Sequence, residues 1–251
     1  MKCKFLQLLL FFFISYPVFS QPPGNKGLYF NGTTSYLEVS VLNSKSATGG
    51  NLSIMGWVKP EENAANSAVI SRWRIGDINS NYAIFYEPAH QRFYVTDVDG
   101  YLVLTPNNSV PLGEWTHFTM TYQSATKLVE WYINGSLVSS GTLTTGISAN
   151  NLQPLRIGAI VNPSNVAVNV WKGQLDEIKI FHTTLSSGDI ALLMNSTAIN
   201  SLSMVAYWNF NEGTGSVAND VQVNTTTTHA NLLGIPPCTW TLRVTTTNDS
   251  G

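Results

Sequence analysis

The sequence predicts an all-β fold: an antiparallel jelly-roll β-sandwich with one short helix near the C-terminal end of the domain. Three observations predict it. Charged residues make up only 11% of the 251 residues, under half the roughly 25% usual for soluble chains. That leaves too few Lys and Glu to build surface helices. Asn is abundant instead, at 24 copies, and Asn, Ser and Thr favour turns and strands. Finally, short apolar runs with period-two alternation recur between turn clusters, the spacing of a sandwich or jelly roll. At 43% hydrophobic, the chain can bury a core without disulfide or metal help.

The elements follow in order. Gly27–Phe30 and Ser35–Val39 read as strands, with Asn31-Gly32 between them as a type I′ hairpin signal. Asn51–Lys59 is a strand closed by Pro60. Ala68–Trp73, Asn81–Glu87 and Arg92–Val98 follow, and Asp99-Gly100 turns the chain into Tyr101–Thr105. In Trp115–Gln123, Phe118, Met120 and Tyr122 share one face, with His117, Thr119 and Thr121 on the other. Leu128–Ile133 puts Val129, Trp131 and Ile133 on one face. Asn134-Gly135, the strongest hairpin signal, leads into Ser136–Ser140. Leu155–Ile160 and Gly173–Phe181 are further strands. Ser186 to Asp189 fits a capping box, with Ile190, Leu193 and Met194 at helical spacing behind it. Met204–Phe210 returns to strand, and the Thr-rich stretch 225–251 reads as irregular.

Residues 1–20 read as a signal peptide. Lys2 and Lys4 form a basic start, and Phe5 to Tyr16 is an apolar run broken only by Gln7 and Ser15. The run is shorter than the roughly 18–20 apolar residues of a membrane span, and no later run is long enough to insert. Localisation is therefore expected to be secreted or cell surface, with no membrane insertion after signal removal. The remainder has 11 basic and 15 acidic groups, a net of −4, with no basic cluster. That excludes nucleic acid as a partner. Once Cys3 leaves with the signal, Cys238 is the only cysteine. It is either an inert buried thiol or half of an intermolecular pair. Seven Asn-x-Ser/Thr sequons occur, at Asn31, Asn51, Asn107, Asn134, Asn195, Asn224 and Asn248.

Six segments then match one family in its own order. They are Gly27-Leu28-Tyr29-Phe30-Asn31-Gly32, Met55-Gly56-Trp57-Val58-Lys59-Pro60 and Gly113-Glu114-Trp115-Thr116-His117-Phe118. Next come Trp131-Tyr132-Ile133-Asn134-Gly135, Leu155-Arg156-Ile157-Gly158, and Gly173 to Phe181 followed by Leu185-Ser186. On these, over roughly residues 24–195, the chain resembles the laminin-G-like jelly-roll domains of the concanavalin A-like lectin/glucanase superfamily. The organisation expected is a signal peptide at 1–20, a laminin-G-like domain at 21–200, and a C-terminal strand with a Thr-rich tail at 201–251. Val205 to Gly215 is similar to the strand that often opens such domains. Either this strand is supplied from the C-terminal side, or a truncated second repeat begins here.

The resemblance implies a structural Ca2+, held by Asp176 of the closing strand with Asn31 near the first turn. The alternative for Asp176 is a loop-capping carboxylate. Glycoside hydrolysis needs two carboxyl groups on one face, about 5–9.5 Å apart. Asp176 and Glu177 are adjacent on a strand and are expected to face opposite ways, and Asp97 and Asp99 sit in a turn. No catalytic set is legible. Trp57, Trp115 and Trp131 are expected between the sheets. Trp73 and Trp171 lie near strand ends, where each either packs at an edge or stacks on a sugar or partner side chain. The expected function is a non-catalytic extracellular binding or adhesion module for a glycan or protein. The alternatives are a polysaccharide-degrading hydrolase of the same fold, or a structural segment of a longer cell-surface protein. The sequence does not fix an oligomeric state.

Overall fold

Two eight-stranded sheets face one another in the computed structural model. It describes residues 22–23, 26–39, 50–78, 80–97, 99–100, 102–147, 153–197, 203–221, 230–234 and 239–242. Residues 1–20, read above as a signal peptide, and Cys238 lie outside these residues.

Sheet A runs in the order β10 (Ser136–Thr142), β9 (Leu128–Ile133), β8 (Thr116–Gln123), β3 (Leu52–Pro60), β14 (Lys172–Phe181), β1 (Lys26–Asn31) and β18 (Thr239–Leu242). The strand β15 (Met204–Trp208) also pairs with β14. Sheet B runs β16 (Val217–Ala218), β17 (Ala230–Leu233), β2 (Tyr36–Val39), β11 (Leu155–Ile157), β4 (Ser67–Ser71), β5 (Ala83–Glu87), β6 (Arg92–Thr96) and β7 (Leu102–Leu104). A small hairpin, β12 (Ile160–Val161) with β13 (Ala167–Val168), stands apart. All ladders between named strands are antiparallel.

The main core lies between the sheets, where period-two alternation delivers one side chain from every second position. Phe118, Met120 and Tyr122 of β8, and Val129, Trp131 and Ile133 of β9, meet Ile84, Phe93 and Val95 of sheet B there. Phe93 stacks on Trp131 at 5.9 Å between ring centroids. Burial of this set supplies the main driving force, at roughly 25 cal/mol per Å² of apolar surface removed from water.

The outer face of sheet A is covered too. The helix α1 (Ser187–Leu193) begins with the expected capping box: Asp189 N donates to Ser186 Oγ at 3.2 Å, and Ser186 N donates to Asp189 Oδ2 at 3.1 Å. Ile190 and Leu193 then pack with Met55, Phe181, Met204 and Tyr207 as a second, smaller core. This cover buries the polar side of β8, so His117, Thr119 and Thr121 are all inaccessible.

Three expectations need correction. Asn31-Gly32 does not make a β1–β2 hairpin, because β1 pairs in sheet A and β2 in sheet B. The turn instead carries the chain between sheets, and Asn31 Oδ1 holds it by accepting from the amides of Thr33, Thr34 and Ser35 at 2.9–3.1 Å. Asn134-Gly135 does close its hairpin, with both residues at positive φ as a type I′ turn requires. Second, the stretch 225–251 is not wholly irregular: β17 and β18 fall within it, and the alternating Ala230 and Leu232 are buried against β2. The strands after residue 200 therefore belong to the same two sheets as those before it, and β15 is supplied from the C-terminal side. Third, Asp176 and Glu177 do not face opposite ways. The β14–β3 register slips between Asp176 and Lys179, and Glu177 takes a φ of +53°. This bulge turns both carboxylates to the outer face, where each is at most 1% exposed. Among the described residues no helix is long and apolar enough to cross a membrane.

Candidate functional site

The exposed side of sheet B carries a depression built from several elements. It begins where β4 ends. Arg72 turns inward, is 1% exposed, and donates from Nη1 to Gln153 O at 3.2 Å. The next residue, Trp73, stays half-buried on a small apolar platform of Ala68, Ala83, Phe85 and Ile160. Arg74 follows at a fixed height. Its backbone N and O both bond Ser80 Oγ, at 3.0 and 2.8 Å, and it bridges in parallel to Val161. Its Nη2 donates to Pro163 O, tying the 74–78 loop to the β12–β13 hairpin. That hairpin loop is held in turn by Asn162 Oδ1, which accepts from the amides of Ser164 and Val166.

The floor comes from β2 and β11, where Glu38 sits opposite Arg156 in the ladder. Arg156 Nε donates to Glu38 Oε2 at 2.8 Å, and the Arg156 side chain is 5% exposed. Gln153 Nε2 donates to Asp77 Oδ2 at 2.6 Å. A cavity of about 360 Å³ is lined by Trp73, Arg74, Gly76, Asp77, Ile78 and Asp99. Another of about 420 Å³ is lined by Tyr36, Glu38, Arg74, Gln153, Pro154, Arg156 and Asn165. Arg74 lines both, so the two cavities adjoin at its side chain, one bordered by an indole and the other by a tyrosine; together they are called the groove below. Ile78, 91% exposed, forms an apolar lip beside Trp73. A flat apolar surface flanked by fixed donors and acceptors suits a ring with one apolar face and a rim of hydroxyls.

The tryptophans sort differently from the sequence expectation. Trp131 is in the inter-sheet core. Trp57 is on the outer face of sheet A, where Nε1 donates to Met194 O at 3.0 Å. Trp115 is only partly buried, and lines a separate 490 Å³ depression with Glu114, Asn108 and Ser136. It lies just before β8 begins, so the alternation of that strand does not extend to it. Trp171 is fully buried, edge-on to Tyr86 at 5.7 Å, and does not reach any ligand surface. Trp73 alone of the two strand-end candidates faces a cavity.

Asn31 and Asp176 are not brought together. The β1–β14 ladder sets Asn31 opposite Lys172, four positions from Asp176, which is about 13 Å at the rise of a strand. The Asn31 carbonyl is also engaged by three backbone amides and the Ser35 hydroxyl. The ladder therefore does not set the two side chains side by side, and among the described residues no group of three His, Cys, Asp or Glu is placed to hold a metal. Arg74, Asp77 and Gln153 went unnoticed in the sequence, and Arg156 was read only as part of the Leu155 to Gly158 strand motif, since the four come from separate strands and loops.

A covered β-sandwich with a polar, aromatic-ended groove on one open sheet defines the class of lectin-like jelly rolls. The chain belongs to the concanavalin A-like lectin/glucanase superfamily, matching a laminin-G-like family profile over residues 31–191. No curated protein sequence matches it. Among solved structures it is similar to a provisionally assigned carbohydrate-binding protein from Bacteroides ovatus ATCC 8483, at 14% identity and a TM-score of 0.66. That likeness covers 88% of this chain, which spans only 60% of the Bacteroides protein. A native heptameric SAP-like pentraxin from Limulus polyphemus is similar at 14% identity and a TM-score of 0.55, over 70% of this chain and 84% of that one. The CBM40 of the Ruminococcus gnavus IT-sialidase, solved with α2,3-sialyllactose, is similar at 12% identity and a TM-score of 0.54, over 69% and 100%. At these identities the likeness concerns the fold.

Proposed function

We propose that this protein is a non-catalytic carbohydrate-binding module acting outside the cell, with the groove at Trp73 as its glycan site. The observation that supports it most is the placement of a half-buried indole beside anchored Arg, Asp and Gln side chains on the open sheet of a lectin-type fold. The solved neighbours include carbohydrate-binding proteins, which agrees with that use of the fold. Export rests on the signal-like residues 1–20.

Hydrolysis is disfavoured by where the carboxylates lie. Asp176 and Glu177 now share a face, but both are buried under the outer cover of sheet A, away from the groove. Asp77 and Asp99 both line the Trp73 cavity, but Asp77 already accepts from Gln153 and Asp99 from the Thr145 hydroxyl, which suits them to receive sugar hydroxyls.

The test is a glycan array followed by calorimetry on the best hit. The wild type should bind selectively, and Trp73→Ala, checked for an unchanged fold by circular dichroism, should weaken binding at least tenfold. Release of reducing sugar from a panel of β-glucans and galactans would overturn the non-catalytic reading. A fully active Trp73→Ala would move the site elsewhere.

A further inference from the structure

The groove is not electrically uniform along its length. At the Trp73 end it presents Asp77 and Asp99. Arg74 stands where the two cavities meet and lines both, and the Tyr36 end adds Arg156 with a single carboxylate, Glu38. Glu38 is already engaged by Arg156 Nε at 2.8 Å. Arg74 has no carboxylate within ion-pair distance among the described residues. Of its five N–H donors, one is used, on Pro163 O. A guanidinium fixed by its backbone and by one carbonyl, with its other donors open at the junction of two cavities, is arranged to receive a planar anion. The fork of an arginine matches carboxylate and phosphate bidentately, and of the two carboxylate is the planar one.

Resting on the carbohydrate reading above, we infer that the groove selects glycans bearing a carboxylate, seated against Arg74 at the Tyr36 end while a neighbouring ring lies over Trp73. The polarity then fixes the direction of the chain. Asp77 and Asp99 accept hydroxyl protons from the neutral ring and repel a second carboxylate there. The ligand is therefore at least a disaccharide with its acid at one defined end. The two cavities, about 360 and 420 Å³, each have room for about one sugar ring.

The experiment is calorimetry on the full secreted chain with four probes. These are 3′-sialyllactose, its carboxyl methyl ester, tri-galacturonate and lactose. The expected result is that at least one acidic probe binds ten times or more tighter than lactose. If the acid is a sialic acid, the methyl ester falls to the level of lactose; if it is a uronate, tri-galacturonate is the probe that binds. Arg74→Gln should remove the preference, Arg74→Lys should keep part of it, and raising salt from 50 to 500 mM should weaken the acidic probe selectively. Equal binding of ester and acid together with no preference for tri-galacturonate over lactose, or an Arg74→Gln variant that still prefers the acidic probe, overturns the inference. Lactose binding that depends on Trp73 and ignores Arg74 overturns it while leaving the carbohydrate reading intact. No binding of any probe by folded protein overturns this inference, and a silent glycan array would then remove the carbohydrate reading as well.

Discussion

His117 sits on the outer face of sheet A, 1% exposed, with its ring 5.2 Å from that of Trp57. Burial, helped by the nearby Lys179 ammonium, pushes its imidazole down from 6.5 to about 3. In the unfolded chain it takes a proton below pH 6.5, and in the fold it does not until about 3. The unfolded state binds more protons in that window, so stability falls as pH drops, by up to about 1.4 kcal/mol per unit. Urea midpoints measured from pH 7.5 to 4 should show this slope, and His117→Phe should flatten it. A variant with the same slope as wild type would assign the effect to other groups. Gly173 is constrained more simply. At φ +125°, a Cβ would stand 2.2 Å from Lys59 O. Gly173→Ala should cost about 2 kcal/mol or more by strain and clash, read as a lower midpoint with an unchanged urea slope. The family-like motif was legible at that glycine; the candidate groove was not. Trp73 stood out as an aromatic at a strand end, but Arg74 and Arg156 are ordinary arginines until two ladders and a hairpin bring them together.

The helix α1 was readable because its cap is written locally, in Ser186 and Asp189. What holds it down was not. Lys179 of β14 donates to Leu193 O at 3.1 Å and to Ser196 O at 2.6 Å, closing the C-terminal end of the helix. Its Nζ lies 3.4 Å from Glu177 Oε2, which also accepts from Tyr207 Oη at 2.5 Å. Burial drives the Glu177 carboxyl up and the Lys179 ammonium down, and their mutual attraction opposes both shifts. Glu177 reaches this position only through the bulge, and a left-handed Glu has no compositional signal such as Gly or Asn would give. Removing one partner strands the other. Lys179→Met should cost about 3–5 kcal/mol, while Glu177→Gln with Lys179→Met together should cost well below the sum of the two single changes. A double-mutant cycle by urea denaturation decides it, and strict additivity would deny the coupling. The two Asn-Gly turns show the same limit on reading. The dipeptide encodes a reversal in both places, but only at Asn134-Gly135 do the flanking strands pair with each other, whereas β1 takes its partners from the distant β14 and β18.

At the scale of the molecule, the sandwich was legible from composition and alternation, and its completion was not. Trp208 and Phe210 are fully buried in the main core, and β15, β17 and β18 each extend a sheet begun earlier in the chain. A fragment ending at residue 200 exposes the faces these strands cover. It should show no cooperative thermal transition, whereas residues 21–251 should show one; a fragment melting like the whole would make the later strands dispensable. The pairing of the first described strand with the last has a mechanical consequence. Lys26 lies opposite Leu242, and Tyr29 opposite Thr239, in an antiparallel ladder. A pull applied outward at both flanks of that ladder loads its rungs one after another, like a zip, and never all at once in shear. If the module tethers something at a surface under flow, it yields from this seam at low force, while the groove on the other sheet keeps its shape until the seam has opened.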